Sequence, residues 1–276
     1  MAGQAGTLER AGCPLAYELH GPADGAPVLL VQGVGAHGCA WSPQVQALSA
    51  AGFRCLTWDN RGIGKSLPAG AKLSVELLAE DALGLMAAQG WTSAHVVGHS
   101  LGGLVAQQLA LVARPRVRSL ALLCTFARGA EATRLTLRML WLGTRSRVGT
   151  LTSKRRAFLE IVLPPAALAG ADRDAIAARL APLFGHDLGV SPPITDAQLA
   201  ALSAFDATAR LAELAGLPTL VVSAAHDPLS RPEVSAALAA GIPGCRHVVL
   251  DDLSHGAPLH DPARVSALLL EHLRGR

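Results

Sequence analysis

The chain contains no run of 18 uninterrupted apolar residues, so no membrane-spanning helix is expected. Its first twelve residues, MAGQAGTLERAG, lack the basic start and apolar middle of a secretory signal, and a soluble cytoplasmic protein is expected. Charge is scarce: 16% of residues are charged and the net charge is +3, too little to imply a nucleic-acid partner. The five cysteines (Cys13, Cys39, Cys55, Cys124 and Cys245) include no CxxC pair, and the histidines show no HExxH or other close ligand spacing. Reduced thiols that mostly fill the core are expected, with no zinc site or disulfide framework. No internal repeat or low-complexity tract is present.

What the chain has in quantity is apolar surface. Half of its 276 residues are hydrophobic, which supplies a large core and argues against disorder. The length fits one α/β domain with an insertion, or at most two domains. Short apolar runs alternate with longer helical patterns, the signature of a mainly parallel sheet with helices on both faces. Buried strands are predicted at Val28–Gln32, Arg54–Asp59, Ala94–His99, Ser119–Cys124, Pro218–Ser223 and Arg246–Leu250, with Leu15–His20 as an earlier, antiparallel edge strand. Helices are predicted near Pro43–Ala51, Leu73–Gln89, Leu101–Ala113, Pro232–Ala240 and Pro262–Leu273. From about Arg128 to Leu211 no strand-like run recurs. Amphipathic stretches at Thr133–Leu142, Arg155–Leu163 and Arg173–Leu183, broken by Pro164-Pro165, Gly185 and Pro192-Pro193, predict a helical cap over residues 128–211, inserted into a core of 1–127 and 212–276.

Two glycine-rich stretches compete for the chemistry. Gly33-Val34-Gly35-Ala36-His37-Gly38 follows a strand-like run and fits G-x-G-x-x-G, with Asp59 placed as the acid of a dinucleotide site. A Rossmann helix, however, would already run through Gly38, which buries Pro43 inside it at a cost of about 3 kcal/mol. Gly64-Lys65-Ser66 imitates the end of a P-loop, but Asp59 stands where its first glycine is needed, so a phosphate would meet a carboxylate.

The second stretch is Gly98-His99-Ser100-Leu101-Gly102-Gly103, between the strand Ala94–His99 and the apolar helix Leu101–Ala113. A G-x-S-x-G in that setting is a nucleophile elbow: the turn is so tight that residues two positions away must be small, and the hydroxyl stands at a helix N-terminus. A plain strand-to-helix turn carrying serine is the bland alternative. A serine hydroxyl needs a base, and the base an orienting acid, in the chain order Ser, Asp or Glu, His. Asp227 follows one late strand and His255 the next, at the carboxyl ends where a parallel sheet gathers its site residues. His226, Asp251 and Asp252 are the rivals, and Asp227 is preferred.

With these residues the chain resembles the α/β-hydrolase superfamily, in the group of small carboxylesterases, haloperoxidase-like perhydrolases and enol-lactonases. The resemblance covers nearly the whole chain and rests on VGHSLGG, the turn Asp59-Asn60-Arg61-Gly62-Ile63-Gly64-Lys65-Ser66, Asp227 and His255. It implies an α/β-hydrolase fold in which the backbone N–H groups of Val34 and Leu101 form the oxyanion hole. One departure stands out: Gln32 occupies the position before Gly33 where the family commonly has histidine, which bears on the hydrogen bonding around that loop.

Arg128, Arg134, Arg138, Arg145, Arg147, Lys154, Arg155 and Arg156 fall within 29 residues against one acid, Glu131. A solvated cap face accounts for them; recruitment of a carboxylate-bearing substrate, or an anionic membrane surface met through Leu135–Leu142, are the sharper alternatives. The expected function is a serine hydrolase acting on small-molecule carboxylic esters of small to medium acyl groups, without metal or cofactor. Leu140, Trp141, Phe158, Leu183 and Phe184 are expected as apolar walls. An enol-lactonase or perhydrolase would use the same triad, and a catalytically silent binding protein would keep the fold alone.

Overall fold

The computed structural model describes residues 3–131 and 137–275, and the side chains of all of these except 137–140. Its strands are β1 (Gln4–Arg10), β2 (Cys13–His20), β3 (Ala26–Val31), β4 (Phe53–Trp58), β5 (Ala94–His99), β6 (Val117–Leu123), β7 (Thr219–Ala224) and β8 (Arg246–Leu250). Its helices are α1 (Ser42–Ala50), α2 (Val75–Ala88), α3 (Leu101–Val112), α4 (Leu137–Arg147), α5 (Leu151–Val162), α6 (Pro165–Leu168), α7 (Arg173–Phe184), α8 (Thr195–Ala204), α9 (Pro232–Gly241), α10 (Ala257–His260) and α11 (Pro262–Leu273). The strands form one eight-stranded sheet in the order β1-β2-β4-β3-β5-β6-β7-β8, with β1/β2 and β2/β4 antiparallel and the remaining pairs parallel.

The central strands are apolar on both sides because both faces are covered. Val31, Leu29, Leu56, Val96, Leu122 and Val221 pack with α2, α3 and α9 on one face; Val28, Leu30, Cys55, Val97, Leu123 and Val222 pack with α1 and α11 on the other. The six strands predicted as buried all form, two of them with the bounds given, but Arg246–Leu250 is the far edge of the sheet and only its Leu250 is buried. The edge strand differs. Leu15–His20 lies in β2, which is internal, and the edge on that side is β1, whose alternation of exposed and half-buried residues carries too little apolar signal to read. An edge strand open to solvent needs no hydrophobic stripe.

Between β6 and β7 the described residues carry helices and no strand, apart from an isolated bridge joining Arg128 and Asp206. Helices α5, α6 and α7 share their own apolar cluster, including Leu159, Val162, Leu180 and Phe184, and Ala36 and Ala40 of the β3–α1 segment join it. Gly185, in the left-handed region at φ 79°, ends α7, and Pro192-Pro193 precede α8, a helix absent from the sequence reading.

The Asp59–Ser66 turn is a junction. Arg61 is fully buried and holds Asp81 of α2 in a bidentate pair at 2.5 and 2.7 Å. Its remaining N–H groups donate to the carbonyls of Arg10, Ala11 and Ala69, so one side chain ties the β1–β2 turn, the loop before α2 and α2 itself. Asp59 accepts from the backbone N–H of Gly38 at 2.9 Å and of Lys65 at 3.1 Å. The acid that imitated a ribose ligand is engaged in joining two loops.

Candidate active site

Ser100 stands between β5 and α3 with φ 54° and ψ −119°, a conformation L residues rarely adopt. The glycines around it make that turn sterically possible. A Cβ on Gly98 would lie 2.2 Å from the carbonyl oxygen of Gly102, and one on Gly102 would lie 2.1 Å from that of Val31. The Ser100 N–H donates to Leu123 O and its carbonyl accepts from Thr125 Oγ1 at 2.8 Å, which ties the elbow to the end of β6.

Three side chains from the carboxyl ends of β5, β7 and β8 meet in one line. His255 Nε2 lies 3.0 Å from Ser100 Oγ, and His255 Nδ1 lies 2.8 Å from Asp227 Oδ2. The other carboxylate oxygen of Asp227 accepts from the N–H groups of Leu229 and Ser230 at 2.8 and 2.9 Å. With a carboxylate facing Nδ1, that nitrogen carries the hydrogen and Nε2 is free to accept from the serine hydroxyl. All three residues are buried. The rivals lie elsewhere: His226, Asp251 and Asp252 are exposed, and Asp252 pairs with Arg264 at 2.6 Å.

Ser100 and His255 open onto a cavity of about 300 Å³, with Asp227 buried behind the histidine. Trp41, Phe126, Phe158, Ile161, Phe184 and Leu202 supply its apolar wall; Gln32, His99, Ser146 and Arg147 are polar groups on it besides Ser100 and His255. Phe158 and Phe184 therefore line it as expected, whereas Trp141 is exposed and Leu183 packs in the helical cluster instead. The Leu140 side chain lies outside the described residues. Val34 borders the cavity. Among the described residues neither its backbone N–H nor that of Leu101 donates to a protein acceptor. Gln32 accepts from the Gly33 N–H through its own Oε1 at 3.3 Å, and its carbonyl accepts from Asn60 Nδ2.

His99 escaped the sequence reading because it sits inside the serine motif. Its Nε2 lies 2.8 Å from the His255 carbonyl oxygen, and the two rings stand 5.0 Å apart. Burial, and then the neighbouring His255, push its pKa down to about 4, so it is a neutral donor that supports the His255 loop. Cys124 is buried with φ 45° beside the same site; burial, and then the Asp227 charge, raise its thiol well above the ordinary range and keep it protonated.

The basic run is largely paired. Arg128 faces Asp206 at 3.4 Å, Arg145 faces Glu160 at 3.6 Å and lies over the Trp141 ring, and Arg156 faces Asp174 at 3.2 Å; Arg147 and Arg155 pair with Asp196 and Asp187. Arg134 and Leu135 lie outside the described residues, as does the Arg138 side chain. No helix among the described residues is long and apolar enough to cross a membrane, and no group of three or more His, Cys, Asp or Glu residues among them could hold a metal ion.

The sheet order, the strained serine turn and the Ser–His–Asp line coincide with a family-level match: residues 26–262 fit the model of the alpha/beta hydrolase fold. This chain belongs to the α/β-hydrolase fold family. Among its relatives is a Variovorax paradoxus protein that bears the name carbamate hydrolase RutD, 37% identical over 253 residues that cover 90% of each chain. Among solved α/β-hydrolase structures, a hydrolase from Pseudomonas aeruginosa PA01 superposes with a TM-score of 0.82 at 29% identity, covering 99% of both chains. The enol-lactonase from Burkholderia xenovorans LB400 superposes with a TM-score of 0.80 at 25% identity, covering 98% of this chain and 100% of its own.

Proposed function

We propose that the chain is a serine hydrolase that cleaves carboxylic esters of small to medium acyl groups through an acyl-enzyme. The observation that carries this is the continuous line from Asp227 through His255 to Ser100 Oγ, with Ser100 and His255 opening onto an apolar cavity. Ser100 attacks the ester carbonyl as His255 Nε2 takes its proton. Asp227 holds the imidazole in the required tautomer and stabilises the cation that forms. Attack moves a full negative charge onto the carbonyl oxygen, and the N–H groups of Val34 and Leu101 receive it; losing one such donor costs roughly 3–4 kcal/mol. His255 returns the proton to the leaving alcohol, then activates the water that releases the acid.

Residues 128–211 serve as the cap over a core of 1–127 and 212–276. Phe158, Phe184 and Leu202 come from that segment and line the same cavity as Ser100, which supports the assignment. Apolar walls with few hydrogen-bonding groups favour a plain acyl chain over a polyhydroxylated one.

A carbamate is the second candidate substrate, favoured by the name of the 37%-identical relative. It presents the same carbonyl to the same serine with nitrogen in place of the acyl carbon. A fluorophosphonate probe tests the nucleophile: native protein is labelled and Ser100→Ala is not, and an unlabelled native protein rejects the proposal. Comparing kcat/KM over p-nitrophenyl esters of rising chain length, a carboxylated lactone and a p-nitrophenyl carbamate then separates the substrates.

A further inference from the structure

The loop that carries Val34 is gripped from two sides. From the core, Gln32 Oε1 accepts from Gly33 N–H and Asp59 accepts from Gly38 N–H. Between those points the His37 carbonyl accepts from Ala40 N–H, and both polar groups of Gly35 are held by the β6–β7 insertion. Gly35 N–H donates to Gln198 Oε1 of α8 at 2.8 Å, and His186 Nε2, in the turn after α7, lies 2.9 Å from the Gly35 carbonyl oxygen. His37 N–H adds a longer contact to Phe184 O at 3.4 Å. Gly35 has φ +73° and no Cβ, so its own backbone does little to hold the loop in one shape.

Gln198 is fully buried, and its Nε2 has no partner among the described residues. A half-satisfied buried amide is a poor stabiliser. What the side chain does accomplish is to fix the peptide plane that follows Val34. We propose that Gln198 and His186 are positioning residues for the oxyanion hole: by holding both polar groups of Gly35 they aim the Val34 N–H at the reacting carbonyl oxygen. The insertion thus takes part in stabilising the transition state as well as walling the cavity. This rests on the serine-hydrolase proposal above.

The test uses the full chain with Gln198→Leu, which removes the acceptor, Gln198→Glu, which keeps one, and His186→Phe, which removes the partner of the Gly35 carbonyl. Each is assayed with a p-nitrophenyl ester, and for binding of an alkyl boronic acid, which forms a tetrahedral oxyanion-like adduct on the serine, beside a neutral ground-state amide. Gln198→Leu and His186→Phe are expected to lower kcat by about 10- to 100-fold with KM little changed. Boronate affinity falls by the same factor, amide affinity holds, and Gln198→Glu retains most of kcat. A thermal melt alongside reports folding, and if Gln198→Leu fails to fold, His186→Phe carries the test.

Unchanged kcat in a folded variant overturns the proposal. So does a loss that appears equally in amide binding, or one that Gln198→Glu does not rescue while folded. Fluorophosphonate labelling of the parent keeps the two levels apart. A labelled parent with an unaffected Gln198→Leu removes the clamp alone, and an unlabelled parent removes the serine-hydrolase proposal and the clamp together.

Discussion

Replacing Asp227 by Asn changes one atom in the line of three, and the surrounding hydrogen bonds dictate how the amide must turn. One carboxylate oxygen accepts from two backbone N–H groups, those of Leu229 and Ser230, while the other faces His255 Nδ1. In the variant the amide oxygen is needed by the two backbone donors, so its NH2 group points at His255. The side chain is fully buried, and no water replaces the missing acceptor. The imidazole must then present Nδ1 as an acceptor and carry its hydrogen on Nε2, where it cannot take the serine proton. A wrong tautomer in a triad costs about 10,000-fold in kcat, roughly 5 kcal/mol of barrier, with the fold preserved. Steady-state hydrolysis of a p-nitrophenyl ester measures the loss, and urea unfolding confirms that the variant is folded. A folded Asp227→Asn within about tenfold of the parent in kcat refutes the role given to Asp227.

Other perturbations probe the frame and the cavity. Asp81→Ala leaves the Arg61 guanidinium buried without its carboxylate and should cost about 3–5 kcal/mol in urea unfolding; a loss under about 1 kcal/mol would mean the carbonyl partners suffice. His95 and His99 both have pKa values pushed down to about 4, first of all by burial. Because these lie below the ordinary histidine value, the unfolded chain binds protons first. Stability is therefore complete above about pH 6.5 and is lost as pH falls toward 4, by on the order of 3 kcal/mol per histidine. Denaturant melts flat between pH 7 and 5 would contradict this. Phe184→Ala removes a ring from the cavity wall and should tilt kcat/KM toward longer acyl chains by about tenfold, read from the chain-length series. An unchanged preference would show that the acyl group binds elsewhere.

The residues that meet at Ser100 were readable because each sits just beyond an apolar run, in an order that a parallel sheet converts into proximity. The same holds for the central strands, whose two-sided burial makes them continuous apolar runs. What escaped lacked a local signal. β1 is exposed on its edge and needs no apolar stripe. The partners of the basic run, Glu160, Asp174, Asp187, Asp196 and Asp206, follow in later parts of the insertion, so a short window registers an excess of charge that the fold balances. Gln198 lies 163 positions from Gly35, and nothing near a glutamine in an alanine-rich helix announces a backbone partner at that distance. Position in sequence pointed to Ser100, His255 and Asp227; only tertiary packing revealed the contacts of Gly35 beside them.

An acyl group trapped on Ser100 would report the central chemistry most directly. Rapid acid quench of the protein with a p-nitrophenyl ester, followed by intact-mass and peptide analysis, should show the acyl mass on the peptide containing Ser100, and none in Ser100→Ala, whose turnover should also vanish. An adduct on another residue, or turnover that persists in Ser100→Ala, would contradict the account.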